Sequence, residues 1–117
     1  MIEDRAKDLG RLIGQSTEYQ AVRRASDALN DDADTVKLLR DMEQLRVDAQ
    51  RLMQGGEHLT PEMEKRLDDL LGQIQTRPTY QRVLVAQENF DKIMGRVNDW
   101  ILEGMDKGAA SPIITLG

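Results

Sequence analysis

The sequence predicts an all-α fold: a long antiparallel helical hairpin, a long C-terminal helix and a short N-terminal helical segment, assembled as a dimeric bundle. Three observations carry this expectation. Leu38, Met42, Leu45, Ala49 and Leu52 step by alternating fours and threes, which puts them on one narrow face of a helix. The rhythm returns at Met63, Leu67, Leu70 and Ile74, and again through Val83, Phe90 and Val97. Between the stripes stand Gly55-Gly56, Thr60-Pro61 and Thr76-Arg77-Pro78, residues that end one helix and open the next.

In chain order, Ile2, Ala6, Leu9 and Ile13 form a first amphipathic segment. An interior glycine costs a helix about 1 kcal/mol relative to alanine, so a break is expected at Gly14. Ser16 and Thr17 are then placed to cap a second segment carrying Tyr19, Val22, Ser26 and Leu29. Asn30-Asp31-Asp32 reads as a turn, its acids favoured at the positive end of the following helix. That helix is expected from about Asp34 to Gln54, on the order of 30 Å long. Gly55-Gly56 closes it, since glycine enters the left-handed region without a Cβ penalty. Thr60 caps the next helix with Pro61 in its first turn, and the short connection makes the two helices antiparallel neighbours.

Thr76-Arg77-Pro78 separates this hairpin from the last helix, expected from about Thr79 to Met105 with Val83, Ala86, Phe90, Ile93, Val97, Trp100 and Ile101 on its apolar positions. Gly95 within it marks a close-packing point or a bend. Residues 1–106 are thus expected to form one helical domain and 107–117 a flexible C-terminal tail. The apolar run Pro112-Ile113-Ile114-Thr115-Leu116 is too short to fold alone.

A chain of 117 residues with 3% aromatic and 32% charged residues must build its core from Leu, Ile, Val, Met and Ala. Five methionines, Met42, Met53, Met63, Met94 and Met105, lie on or beside the stripes and read as core filler. Part of the long apolar seam is expected to be buried between protomers, so the chain itself is the first expected partner, as a homodimer. The candidate oligomer interface is Leu38, Met42, Leu45, Leu52, Phe90 and Val97, and Leu45→Asp is expected to break it by placing a charge in the seam. A net charge of −5 argues against direct nucleic-acid binding, which needs cations to neutralise phosphates. The chain has no cysteine, which excludes disulfides, thiolate catalysis and cysteine-held metal clusters. No signal-peptide pattern or membrane-spanning run is present, so a cytoplasmic protein without membrane association is expected.

Catalysis finds no home in the pattern. His58, the one histidine, lacks the convergent ligands a metal site needs. Asp31-Asp32 and Asp68-Asp69 are adjacent pairs that point in different directions rather than across a cleft. Gly55-Gly56 has no strand before it to frame a phosphate loop, and Ser16 has no nucleophile elbow around it. No catalytic residue, cofactor or metal ligand is therefore expected. Glu57 and His58, in the loop between the hairpin helices, are the candidate partner-contact residues.

Several segments in order carry a family resemblance: Ser16-Thr17-Glu18-Tyr19, Leu29-Asn30-Asp31-Asp32-Ala33, Gly56-Glu57-His58-Leu59-Thr60-Pro61-Glu62, Ala86-Gln87-Glu88-Asn89-Phe90, and Val97-Asn98 followed by Ile101. Together they resemble the YlbF/YmcA-type family of small bacterial helical regulators, most closely its YheA-type branch. The resemblance implies an all-helical dimer without enzymatic activity. It also implies adaptor work of the kind that controls competence, biofilm formation and sporulation, done in complexes of paralogues that influence messenger-RNA processing by a membrane-associated endoribonuclease. The expected function is a non-enzymatic cytoplasmic regulatory or adaptor protein acting on other proteins, family paralogues among them. The alternative is a holdase-like or scaffolding helical oligomer.

Overall fold

The computed structural model describes residues 1–110 and is all-α over them. Five helices follow one another: α1 (Ile2–Gly14), α2 (Thr17–Asn30), α3 (Ala33–Gln54), α4 (Pro61–Gln75) and α5 (Pro78–Ala110). Their starts are set by short-range hydrogen bonds that satisfy otherwise unpaired amides. The Ser16 hydroxyl accepts from the Tyr19 N–H at 3.1 Å and the Thr60 hydroxyl from the Met63 N–H at 3.2 Å. Asp32 accepts from the Thr35 N–H at 3.3 Å. At the end of α3 the Glu57 N–H reaches the Leu52 carbonyl and the Gly56 N–H the Met53 carbonyl, a paired closure that requires a left-handed residue. Gly56 supplies it with φ 80°, whereas Gly55 keeps an ordinary negative φ.

The helices pack as two pairs, α2 along α5 and α3 along α4. In each pair the helices run in opposite directions. Thr35, near the start of α3, is bonded to Arg77 just beyond α4, while Leu52 near the other end of α3 shares a groove with Met63. Tyr19 at the start of α2 meets Phe90 far along α5, and Ala25 lies across from Ala86 nearer the start of α5. The pairs join end to end where α2 gives way to α3 and α4 to α5. The result is a rod of 70 × 37 × 19 Å with a radius of gyration of 21.8 Å. A compact domain of this length would have a radius of about 13 Å.

The core is correspondingly thin. Leu45, Ala49, Leu70 and Ile74 are buried in the α3–α4 pair, and Ala25, Ala86 and Val97 in α2 and α5. The Tyr19 and Phe90 rings meet edge to face, 5.6 Å apart at 61°. Neither α1 nor the part of α5 beyond Val97 contributes a buried residue.

Met53 and Met105, expected as core filler, are instead 63% and 62% exposed, and two expectations about the course of α5 also need correction. The last helix does not end near Met105 but continues through Ala110, so the boundary at 106 falls inside α5. Ala109 and Ala110 are strong helix formers, and Lys107 both pairs with Glu103 at 3.4 Å and suits the negative end of the helix. These offset Gly104 and Gly108. The remaining tail residues, with Pro112, Ile113, Ile114 and Leu116, lie outside the described residues. Gly95 is not a close-packing point either: a Cβ there would meet nothing within 4 Å, and α5 continues through it. Gly95→Ala is therefore expected to stabilise the fold by about 1 kcal/mol, raising the thermal midpoint by about 4 °C. Thermal denaturation followed by circular dichroism checks this, and an unchanged or lowered midpoint would contradict it.

Candidate interaction surface

Four side chains meet where the two helix pairs join. Asp32 caps α3, Thr35 lies one turn into it, and Arg77 and Thr79 flank Pro78 at the start of α5. Thr35 is completely buried. Its hydroxyl donates to Asp32 Oδ2 at 2.6 Å and accepts from Arg77 Nε at 2.7 Å. The Thr79 hydroxyl donates to the same Asp32 oxygen at 2.8 Å, and Arg77 Nη2 donates to Asp32 Oδ1 at 3.2 Å. The Asp32 carboxyl is held well below the usual carboxylate range. The Thr35 hydroxyl bond does most, then the Thr79 hydroxyl, with the Thr35 amide and the Arg77 charge adding to them against an opposing effect of burial. Among the described residues no buried side-chain polar atom lacks a partner. The clasp ties two helix breaks to one level of the rod.

Several large apolar side chains are also open on the surface. On α5, Val85, Trp100 and Met105 are each close to 60% exposed, and Leu84, Ile101 and Leu102 about half exposed. On α1, Ile2 and Leu12 are exposed. An open groove of about 550 Å³ runs between α2 and α5, floored by Ala21, Ala25 and Ala86 and edged by Arg24, Arg82 and Asn89. A second of about the same volume lies at the far end of the α3–α4 pair. Isolated exposed apolar side chains are ordinary on a protein surface, but contiguous ones mark contact sites.

The candidate residues divide among these surfaces. Leu45 and Val97, each 7% exposed, are buried inside the chain. Leu38, Met42, Leu52 and Phe90 are half-buried, Phe90 under Tyr19. Leu45, Leu52 and Glu57 are brought together in the groove at the far end of α3 and α4, beside Asp48, Arg51 and Met63. His58 is exposed and faces a separate shallow pocket with Met53, Leu59 and Glu64. The clasp escaped sequence reasoning because its members are separated by more than forty residues. Leu84, Val85 and Leu102 escaped because they lie off the stripes. No group of His, Cys, Asp or Glu among the described residues is arranged to hold a metal.

The family model described as "Control of competence regulator ComK, YlbF/YmcA" matches residues 2–106, from the start of α1 nearly to the end of α5. The chain belongs to the YlbF/YmcA family. Relatives of this family member include a UPF0342 protein of Limosilactobacillus reuteri, 26% identical over 100 residues that cover 86% of this chain and 81% of the relative. A UPF0342 protein of Bacillus cytotoxicus is 21% identical, covering 91% of each chain. One of Desulfitobacterium hafniense is 26% identical, covering 83% of this chain and 74% of its own. The YlbF/YmcA match thus takes in both helix pairs and the clasp between them. No helix among the described residues is long and apolar enough to cross a membrane.

Proposed function

We propose that this YlbF/YmcA-family chain is a non-enzymatic cytoplasmic adaptor: a helical homodimer, built on the α3–α4 hairpin and the α2–α5 pair, that binds other proteins through its open apolar surface. The observation that carries this reading is the contrast between the two kinds of surface. The Asp32–Thr35–Arg77–Thr79 cluster turns inward and joins helices through Arg77 and Thr79, whereas Leu84, Val85, Trp100, Ile101 and Met105 stand uncovered along one long helix. Family paralogues are the first partners to expect, with no direct contact to nucleic acid given the net charge of −5. The loop residues Glu57 and His58, exposed at the tip of the rod, are the candidate points of partner recognition.

A tagged pull-down from host lysate, with and without nuclease, tests the adaptor reading. Paralogues or ribonuclease components retained after nuclease treatment are the expected result, and recovery of the chain alone would overturn it. The exposed apolar end of α5 favours a second reading, a holdase-like scaffold. It would show itself as concentration-dependent suppression of client aggregation.

A further inference from the structure

One side of the α2–α5 pair carries a groove whose charge runs against that of the chain. The opening of about 550 Å³ over Ala25 and Ala86 continues into a second of about 310 Å³, the two sharing Ala21 and Asn89. Along α5 the combined groove runs from Pro78 to Arg96, about 27 Å. Among the described residues, every one that lines it belongs to α2 or α5. Its bed is apolar: Ala25 and Ala86 are buried, Ala21 and Ile93 half-buried, and Val85 is exposed at the edge. Its rim is cationic. Arg24 and Arg82 flank the first opening, Lys92 and Arg96 the second, and Glu18 is the single acid with them. All four cations are exposed. Lys92 is paired with Glu88 at 3.6 Å, but among the described residues Arg24, Arg82 and Arg96 have no carboxylate partner. In a chain of net charge −5, this is a local reversal of sign.

We infer that this groove receives an acidic amphipathic helix of a partner protein, its apolar stripe on the bed and its carboxylates against Arg24, Arg82 and Arg96. The inference rests on the adaptor reading above and adds the surface and the partner's chemistry. Charge complementarity selects the acid, since a guanidinium holds a carboxylate through two parallel hydrogen bonds. The walls select the helix. Two helices offer no strand edge, so an extended peptide's backbone would lose water without gaining partners, whereas a helix satisfies its own. A groove of this length takes about 18 residues of helix, with apolar side chains recurring at threes and fours. A nucleic acid fits less well. The apolar bed offers nothing to phosphates, and a polyanion extending past the rim would meet a net-negative chain.

The probe is a dye-labelled peptide of about 18 residues, with leucine on the stripe and glutamate along both flanks. Fluorescence anisotropy follows its binding to the full chain, beside peptides with glutamine or lysine for glutamate and a scrambled peptide without the stripe. The glutamate peptide is expected to bind, and to bind more weakly as salt rises. The glutamine and scrambled peptides are expected to bind at least about tenfold more weakly. Arg24→Glu combined with Arg82→Glu is expected to cost the glutamate peptide at least about tenfold and to accept the lysine peptide instead. Both positions are exposed, and gain of the lysine peptide shows that the variant is folded. Equal binding of the glutamate and glutamine peptides, or of neither, would overturn the inference. So would single-stranded RNA that binds more tightly and displaces the glutamate peptide. If light scattering shows a dimer that the double substitution dissociates, a second copy fills the groove and the inference fails. Lysate partners retained by the doubly substituted chain would leave the adaptor reading standing and remove this groove from it.

Discussion

Leu45→Asp is expected to unfold the α3–α4 pair, with any effect on assembly following from that loss. Leu45 is 7% exposed and lies among Ala49, Leu70 and Ile74, the buried side chains of that pair. Truncation to alanine at such a site removes about 2–5 kcal/mol through lost burial and the cavity left behind. Aspartate adds a carboxylate without a partner, which must either ionise in apolar surroundings or bind a proton at a cost. The total is expected to reach at least about 4 kcal/mol, most of the stability of a domain with so thin a core. Urea denaturation followed at 222 nm should show the Leu45→Asp midpoint collapsing and Leu45→Ala falling between it and the parent. Val85→Asp, at a position 58% exposed, is expected to stay within about 0.5 kcal/mol of the parent. An unaltered midpoint for Leu45→Asp would mean that this side chain faces water and that the α3–α4 packing is wrong.

That contrast shows where sequence reasoning ran out. Periodicity identifies which face of a helix is apolar but not what meets it. Leu38, Met42, Leu45, Leu52, Phe90 and Val97 look alike as stripe residues, yet Leu45 and Val97 are consumed by the chain's own packing while the others stay half-open. Helix starts were legible because their causes are local: Ser16, Asp32 and Thr60 each bond an amide three residues on. Pro61 and Pro78 fall in first turns, where a missing N–H costs nothing. α5 runs past the expected end near Met105 because Ala109, Ala110 and the Lys107–Glu103 pair outweigh the small and polar character of the residues from Lys107 onward. The clasp had no local signature at all. Asp32 reads as one more acid in a first turn and Arg77 as loop punctuation, and only the packing of two helix pairs end to end brings them within 3.2 Å.

Loosening that clasp is expected to weaken the whole rod, because it is the polar tie between the two pairs. Thr35→Val keeps the shape of the buried side chain and removes only its hydroxyl. Arg77 Nε then loses its 2.7 Å acceptor and Asp32 its 2.6 Å donor, beside a Thr35 side chain that is itself completely buried. A loss of about 1 kcal/mol is expected, the net contribution of an ordinary hydrogen bond, since Arg77 and Asp32 keep partial access to water. Asp32→Asn isolates the charge, since asparagine caps a helix about as well as aspartate. The folded state holds the Asp32 carboxyl below its ordinary value of 3.8, so the unfolded chain binds its proton more readily. Its contribution is therefore complete above pH 3.8 and is lost as the pH falls from there toward the depressed folded value. Melting curves should show Asp32→Asn less stable than the parent by a constant margin at neutral pH, with the two converging in acid below that point. A margin that stays constant through the acid limb would mean that the hydroxyls of Thr35 and Thr79 do not hold Asp32 ionised. The clasp would then join the helix pairs by shape alone.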